Sequence, residues 1–229
     1  MIEWREPGYV VAFTTRTGGV SSGPYSSLNL GRSTGDDVTL VDENRRRACA
    51  ALGVDPDALA VNRQVHSADV NRAGAGVQGE PGDGLWTDER QLPMLALAAD
   101  CVPIAIAARG RGRLAVLHAG WRGLLGGLVA AGASAVRRDD GAELAAVIGP
   151  SAGPCCYEVG ADVADRFDTD LLRGGRLDLW TAAERLLHAA GVVDVERVGT
   201  CTICNPELFF SHRRDGKPRG VQGVIGYVA

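Results

Sequence analysis

The sequence predicts an α/β protein of one domain, residues 1–229, on three observations. Apolar runs of strand length recur along the chain, and their near-continuous character suggests burial on both faces. Stretches of helical patterning, closed by glycine, lie between them. Third, Leu114-Ala-Val-Leu-His-Ala-Gly-Trp-Arg-Gly123 carries a histidine out of an apolar run into a glycine turn and then a helix. In an α/β fold that is where chemistry is mounted, at the carboxyl end of a strand.

In chain order, residues 9–14 read as an early strand, and Gly18-Gly19 and Gly23-Pro24 then force turns. Residues 42–52 read as a helix, with acids in the first turn where they suit the helix dipole and Gly53 at the end. Residues 59–66, 94–100, 102–107 and 114–117 are strand candidates. Residues 121–138 read as a helix in which Gly123, Gly126 and Gly127 each cost about 1 kcal/mol relative to alanine, a cost that marks close packing. Residues 144–148 form a further strand, 157–167 and 180–190 are helices, and strands over 192–201 and 221–228 close the sheets. There is no internal repeat, low-complexity segment or linker.

Composition narrows the function. A hydrophobic content of 45% suits a sizeable core, and a net charge of −4 argues against a nucleic-acid surface. The start, Met1-Ile-Glu-Trp-Arg-Glu-Pro-Gly8, lacks an apolar signal region, and residues 94–108 are too short for a bilayer and carry Asp100 and Pro103, so a cytoplasmic protein with no membrane partner is expected. The six cysteines are expected to be reduced thiols. Cys201-Thr-Ile-Cys204 lacks the second pair that a zinc ribbon needs, and the Asn-Pro after it favours a turn, so this pair reads as packing.

Three potential metal ligands arrive at the ends of apolar runs: His66, Cys101 and His118. Two imidazoles and a thiolate leave the fourth position of a zinc tetrahedron open, as catalytic sites require. Spacing alone does not make them meet. Against the metal reading stand a hydrogen-bonded histidine at a strand end and a small buried cysteine. If residues 100 and 101 lie on a strand, Asp100 and Cys101 face opposite ways, so the aspartate is not the thiol's partner.

The wording around these residues resembles one family along nearly the whole chain. Phe13-Thr-Thr-Arg-Thr-Gly-Gly-Val-Ser21 and Gly23-Pro-Tyr-Ser-Ser-Leu-Asn-Leu-Gly31 look like its first signature. Gln64-Val-His66, Asp83-Gly-Leu-Trp-Thr-Asp88, Ala99-Asp-Cys-Val-Pro-Ile104 and His118-Ala-Gly-Trp-Arg-Gly123 are similar to its central motifs. Gly149-Pro-Ser-Ala-Gly-Pro-Cys-Cys-Tyr-Glu-Val-Gly160 and the segment from Cys201 through Asn205-Pro-Glu-Leu-Phe-Phe-Ser-His212 to Gly216 complete the set in order. This is the YfiH-like family, variously described as multicopper polyphenol oxidoreductase (laccase), peptidoglycan editing factor PgeF and purine nucleoside phosphorylase. The resemblance implies an α/β (α+β) fold of mixed β-sheets sandwiched between helices, like that of cysteine hydrolases. It also implies zinc held by His66, Cys101 and His118, with copper as an alternative ion, and phosphorolysis of adenosine, inosine and methylthioadenosine with adenosine deamination beside it. The chain departs from the family pattern at Ser67, Gly84, Trp86 and His212.

Phosphorolysis needs an anion pocket beside the ribose, which arginines and helix N-termini supply. Arg45 and Asn29 are the candidates; a solvated helix-face charge and an Asx turn are their plainer alternatives. Arg16 and Arg122 rank below them. Asp83 and Asp88 are candidates to orient a ligand imidazole, or simply shape their turn. A metal-free alternative uses Cys101 as nucleophile and His118 as base, as in an amidase acting on peptidoglycan precursors; a thiolate held by zinc is not free to do this. The laccase reading is the weaker one, because a multicopper oxidase needs many histidines and the chain has four, of which His188 lies in a helical stretch. Partners are then a purine nucleoside and phosphate, and the protein is a monomer or small homo-oligomer.

Overall fold

The computed structural model describes residues 1–138 and 141–229. One six-stranded sheet runs, edge to edge, through β1 (Ile2–Glu6), β2 (Tyr9–Phe13), β14 (Gln222–Val228), β7 (Met94–Ala98), β3 (Ala60–Arg63) and β5 (Gln78–Pro81). A second runs through β13 (Asp194–Arg197), β10 (Leu144–Ile148), β8 (Val102–Ala108), β9 (Arg113–Ala119), β6 (Gly84–Thr87) and β4 (Val70–Arg72). Both are mixed: β3 lies parallel to β5 and β7, β10 to β13 and β4 to β6, and the remaining neighbours are antiparallel.

Side chains alternate across a strand, and here the alternation builds the layers. Val10 and Ala12 of β2 pack outward with Ala48, Cys49 and Leu52 of α1 (Val38–Leu52). Tyr9, Val11 and Phe13 point inward, onto Leu114 and Val116 of β9 and Ala105 and Ala107 of β8. Ala115, Leu117 and Ala119 face the other way, onto Leu128, Val129 and Ala133 of α3 (Leu128–Arg137) and the apolar face of α5 (Leu179–Ala189). The result is helix, sheet, sheet, helix. By the same parity His118 shares the inter-sheet face of Leu114 and Val116.

Several elements differ from expectation. The first helix begins at Val38, four residues early, because the Asp37 side chain accepts the Thr39 amide at 2.8 Å and caps it. The acids at 42 and 43 therefore lie inside the helix, where Glu43 pairs with Arg46 and Arg47. Gly127 takes φ +92, a left-handed conformation, and splits the expected helix over 121–138 into α2 (Trp121–Gly126) and α3. Of the helix expected over 157–167 only α4 (Ala161–Ala164) is helical. Tyr157 and Val159 instead bond the backbone of a small hairpin, β11 (Leu172–Arg173) and β12 (Arg176–Leu177) with its turn. The strand over 59–66 ends at Arg63, since the Gln64 side chain takes over the ladder, bonding both the amide and carbonyl of Leu97 at 2.7 Å. No helix among the described residues is long and apolar enough to cross a membrane.

A candidate metal centre between the two sheets

The three candidate ligands meet. Ligand atoms of His66, Cys101 and His118 all lie within 4.8 Å of one another, and the two imidazole rings stand edge to face with centroids 4.9 Å apart. Two come from neighbouring strands of the second sheet and the third from the loop after β3 of the first. His118 ends β9. Cys101 lies one residue before β8, whose pairing of Val102 with Ala119 sets the thiol beside Gly120. A Cβ on Gly120 would stand 3.0 Å from the His66 ring and 3.2 Å from Cys101 Sγ, so the glycine is what lets these groups close up.

His66 sits after β3 in a left-handed conformation, φ 60, that a side chain-bearing residue adopts only when held. Asp83 does the holding. One of its carboxylate oxygens accepts the Val65 amide at 3.1 Å, the Ser67 amide at 2.6 Å and the Ser67 hydroxyl at 3.1 Å. The other takes His118 Nδ1 at 2.8 Å, which turns Nε2 of that ring toward the cluster. The Asp83 carbonyl also accepts the His118 amide at 2.7 Å. A single buried aspartate thus orients both imidazoles. Asp88, the other carboxylate considered for this role, faces outward to Arg72 and Arg138.

The charges reinforce one another. Burial pushes the Cys101 thiol up, but His118 and His66 pull it down further, to about 6. Burial opposes a charged His118, yet the Cys101 thiolate and the Asp83 carboxylate raise it to about 9. Asp83, against its own burial, falls to about 2 through the bonds from His118, Ser67 and Val65. Near neutral pH the trio is a thiolate beside an imidazolium, and a bound cation can take the place of the proton.

Asp100 does point away from the thiol, though for a different reason from strand alternation. It lies between β7 and β8 at φ 90, and its carboxylate accepts the Thr202 hydroxyl at 2.6 Å, the Ser211 hydroxyl at 3.0 Å and the Arg213 amide at 2.6 Å. Sequence reasoning passed over Arg219. Its Nε is buried and has no hydrogen-bond partner among the described residues, and burial lowers its pKa against the pull of Asp100, Asp215 and Cys101. His212 is lowered by burial and by the charge of Arg219.

The two proposed substrate residues are engaged elsewhere. Asn29 donates to Thr34 and Asp36 and accepts the amides of Gly31 and Val221. Arg45 gives Nε to the Leu30 carbonyl at 2.8 Å and Nη1 to Gln78 at 3.1 Å. It also lines an open cleft of about 410 Å³ shared with Arg32, Asp42 and Glu43. None of these bonds reaches the trio. His188 bonds the Val192 carbonyl at 3.0 Å, so the histidines that converge are His66 and His118, which falls short of a multicopper ligand set.

Comparison with known proteins agrees with this architecture. The model of the multi-copper polyphenol oxidoreductase laccase family matches residues 10–227. A relative from Geobacillus stearothermophilus, named purine nucleoside phosphorylase YlmD, is 37% identical over 94% of this chain and 88% of its own. The Escherichia coli protein named purine nucleoside phosphorylase YfiH is 33% identical over 93% and 92%. The crystal structure of YlmD from G. stearothermophilus superposes with a TM-score of 0.88 at 35% identity, covering 97% of this chain and 93% of that one. The YfiH protein of Bacillus licheniformis gives 0.89 at 29% identity, covering 96% and 93%. With a family match over almost its full length, this chain belongs to the multi-copper polyphenol oxidoreductase laccase family, the group that contains YfiH and YlmD.

Proposed function

We propose that this chain is a zinc-dependent purine nucleoside phosphorylase that cleaves adenosine, inosine and methylthioadenosine and also deaminates adenosine. The observation that carries the reading is the convergence of His66, Cys101 and His118 around one point, in a chain whose relatives carry the phosphorylase name. The donor set fits zinc: two imidazoles, a thiol already near its ionised form, and a carboxylate behind His118. Bound zinc would supply Lewis acidity at its open fourth position. The chain's own part is to fix the His118 tautomer through Asp83, to hold His66 in its strained turn and to keep Cys101 deprotonated.

In phosphorolysis a phosphate oxygen bonds to C1′ of the ribose while the bond from C1′ to the purine nitrogen breaks. The attacking anion needs a charged donor, and Arg219 supplies one with a spare buried N–H in the field of Cys101. Purified protein is expected to release free base from inosine only when phosphate is present, to lose this on chelation and to regain it with zinc. Failure to release base from any of the three nucleosides sinks the reading.

Arg219→Ala should lower phosphorolysis by about ten- to a hundredfold, the loss of a charge-assisted contact of about 1.5–3 kcal/mol, and should spare deamination. The measured quantity is hypoxanthine from inosine divided by inosine from adenosine, at saturating phosphate. Arg45→Ala is the counterpart from sequence. A fall in the ratio there, with none for Arg219→Ala, moves the phosphate to Arg45.

The thiolate and imidazolium pair also favours one second reading, a metal-free hydrolase with Cys101 as nucleophile. Alkylation separates the two. In metal-stripped protein the rate at Cys101 should rise with pH about a midpoint near 6. In His118→Ala it should move up toward the ordinary thiol value of about 8.5. If Cys101 in protein as purified labels at the full rate without chelator, zinc is not on the thiol and the hydrolase reading gains.

A further inference from the structure

A second group of thiols lies outside the trio. The sulfurs of Cys155, Cys156, Cys201 and Cys204 are all within 4.8 Å of one another, with Cys156 at 3.1 Å and Cys155 at 3.5 Å from Cys204. The pair that Cys201-Thr-Ile-Cys204 lacks in sequence is supplied in space by the adjacent Cys155 and Cys156. A tetrahedron with zinc–sulfur arms of about 2.3 Å has edges of about 3.8 Å, so small shifts bring four such sulfurs onto one ion. A disulfide uses two sulfurs and leaves two thiols packed against it, whereas four soft donors at one point match a closed metal site.

The surroundings suit bound thiolates. The Gly153 amide donates to Cys201 Sγ at 3.3 Å. Arg214, itself paired with Asp215, braces the loop by giving Nη1 to the carbonyls of Thr202 and Ile203 at 2.7 and 3.1 Å, which fixes the backbone between Cys201 and Cys204. We infer that Cys155, Cys156, Cys201 and Cys204 form a structural tetrathiolate site for one zinc ion, which clamps the turn after β10 to the loop after β13. Four S–H protons pass to solvent as four zinc–sulfur bonds form, and no oxidant is needed. The clamp also reaches the first site. Thr202, inside the clamped loop, donates to Asp100, the residue before Cys101.

The inference replaces the packing role that the sequence suggests for Cys201 and Cys204, and it stands apart from the function of the trio. The test uses the whole chain with His66, Cys101 and His118 all changed to alanine, purified under reducing conditions. Elemental analysis should find one zinc per chain, falling to below about a tenth when Cys156→Ser and Cys204→Ser are added. Should that variant fail to fold, native wild-type protein answers instead. Cys155 and Cys204, exposed in the fold, should resist iodoacetamide until a zinc chelator is added, with mass spectrometry locating the label. Immediate labelling of both without chelator, or labelling that requires a reductant rather than a chelator, overturns the site. A zinc-free trio variant does so too. Failure of the trio's own metal reading appears separately, as full zinc retention on changing those three residues together with loss of zinc in the cysteine variant.

Discussion

Replacing His66, Cys101 or His118 by alanine is expected to abolish nucleoside turnover, by more than about a thousandfold, because on the proposed function the residues act as one unit and each loss empties this site, leaving only zinc held at the four cysteines. The three variants should differ in stability, which distinguishes a role in the site from a role in the fold. His66 is exposed and Cys101 only half-buried, so their truncation removes little packing. His118 is buried, and its loss leaves one Asp83 oxygen without its partner in the interior. That oxygen belongs to a carboxylate still held by the Val65 and Ser67 amides, so the cost is about 2–3 kcal/mol, or a fall in Tm of about 4–12 °C in a chain of this size. Zinc content, turnover and Tm measured on all three decide the matter. Undiminished zinc and turnover in Cys101→Ala would remove the thiol from the site.

The three candidate ligands are legible in the sequence and much of their support is not. His118 stands out because a long apolar run ends on it before Gly120, a local signal that survives folding. His66 and Cys101, which the sequence sets at strand ends, lie instead in the connections just beyond them, at a left-handed residue and next to one. Strand propensity carries no information about such turns, since holding them takes Asp83 for the one and Thr202 and Ser211 for the other, all remote in sequence. β4, β5 and β6 escaped notice for a related reason. They are three or four residues long, β5 is exposed throughout, and their partners supply the pairing. The four cysteines were visible as two separate pairs, yet only the fold sets the turn after β10 against the loop after β13. Arg219 has no local signature at all; what marks it is a buried Nε–H left unpaired among the described residues.

Asp83→Asn should weaken zinc binding by about ten- to a hundredfold while leaving all three ligands in the chain, the effect expected when the group behind a ligand histidine is lost. Asparagine keeps an acceptor and nearly the same shape, so a collapse of the fold is not what the variant tests. It removes a charge that raises His118 and, through His118, lowers Cys101. With the charge gone the His118 pKa falls from about 9 and the Cys101 pKa rises from about 6, so the thiolate population at neutral pH drops. The sign for stability follows. A depressed Asp83 contributes above the unfolded carboxylate value of about 3.9 and is lost as pH falls through about 2, so the wild-type advantage over the variant should be full at neutral pH and shrink in acid. Zinc titration gives the affinity, and alkylation of metal-stripped protein across pH gives the Cys101 midpoint. A purely structural Asp83 would lower Tm and leave that midpoint near 6, whereas a positioning Asp83 moves it upward even at temperatures where the variant is fully folded.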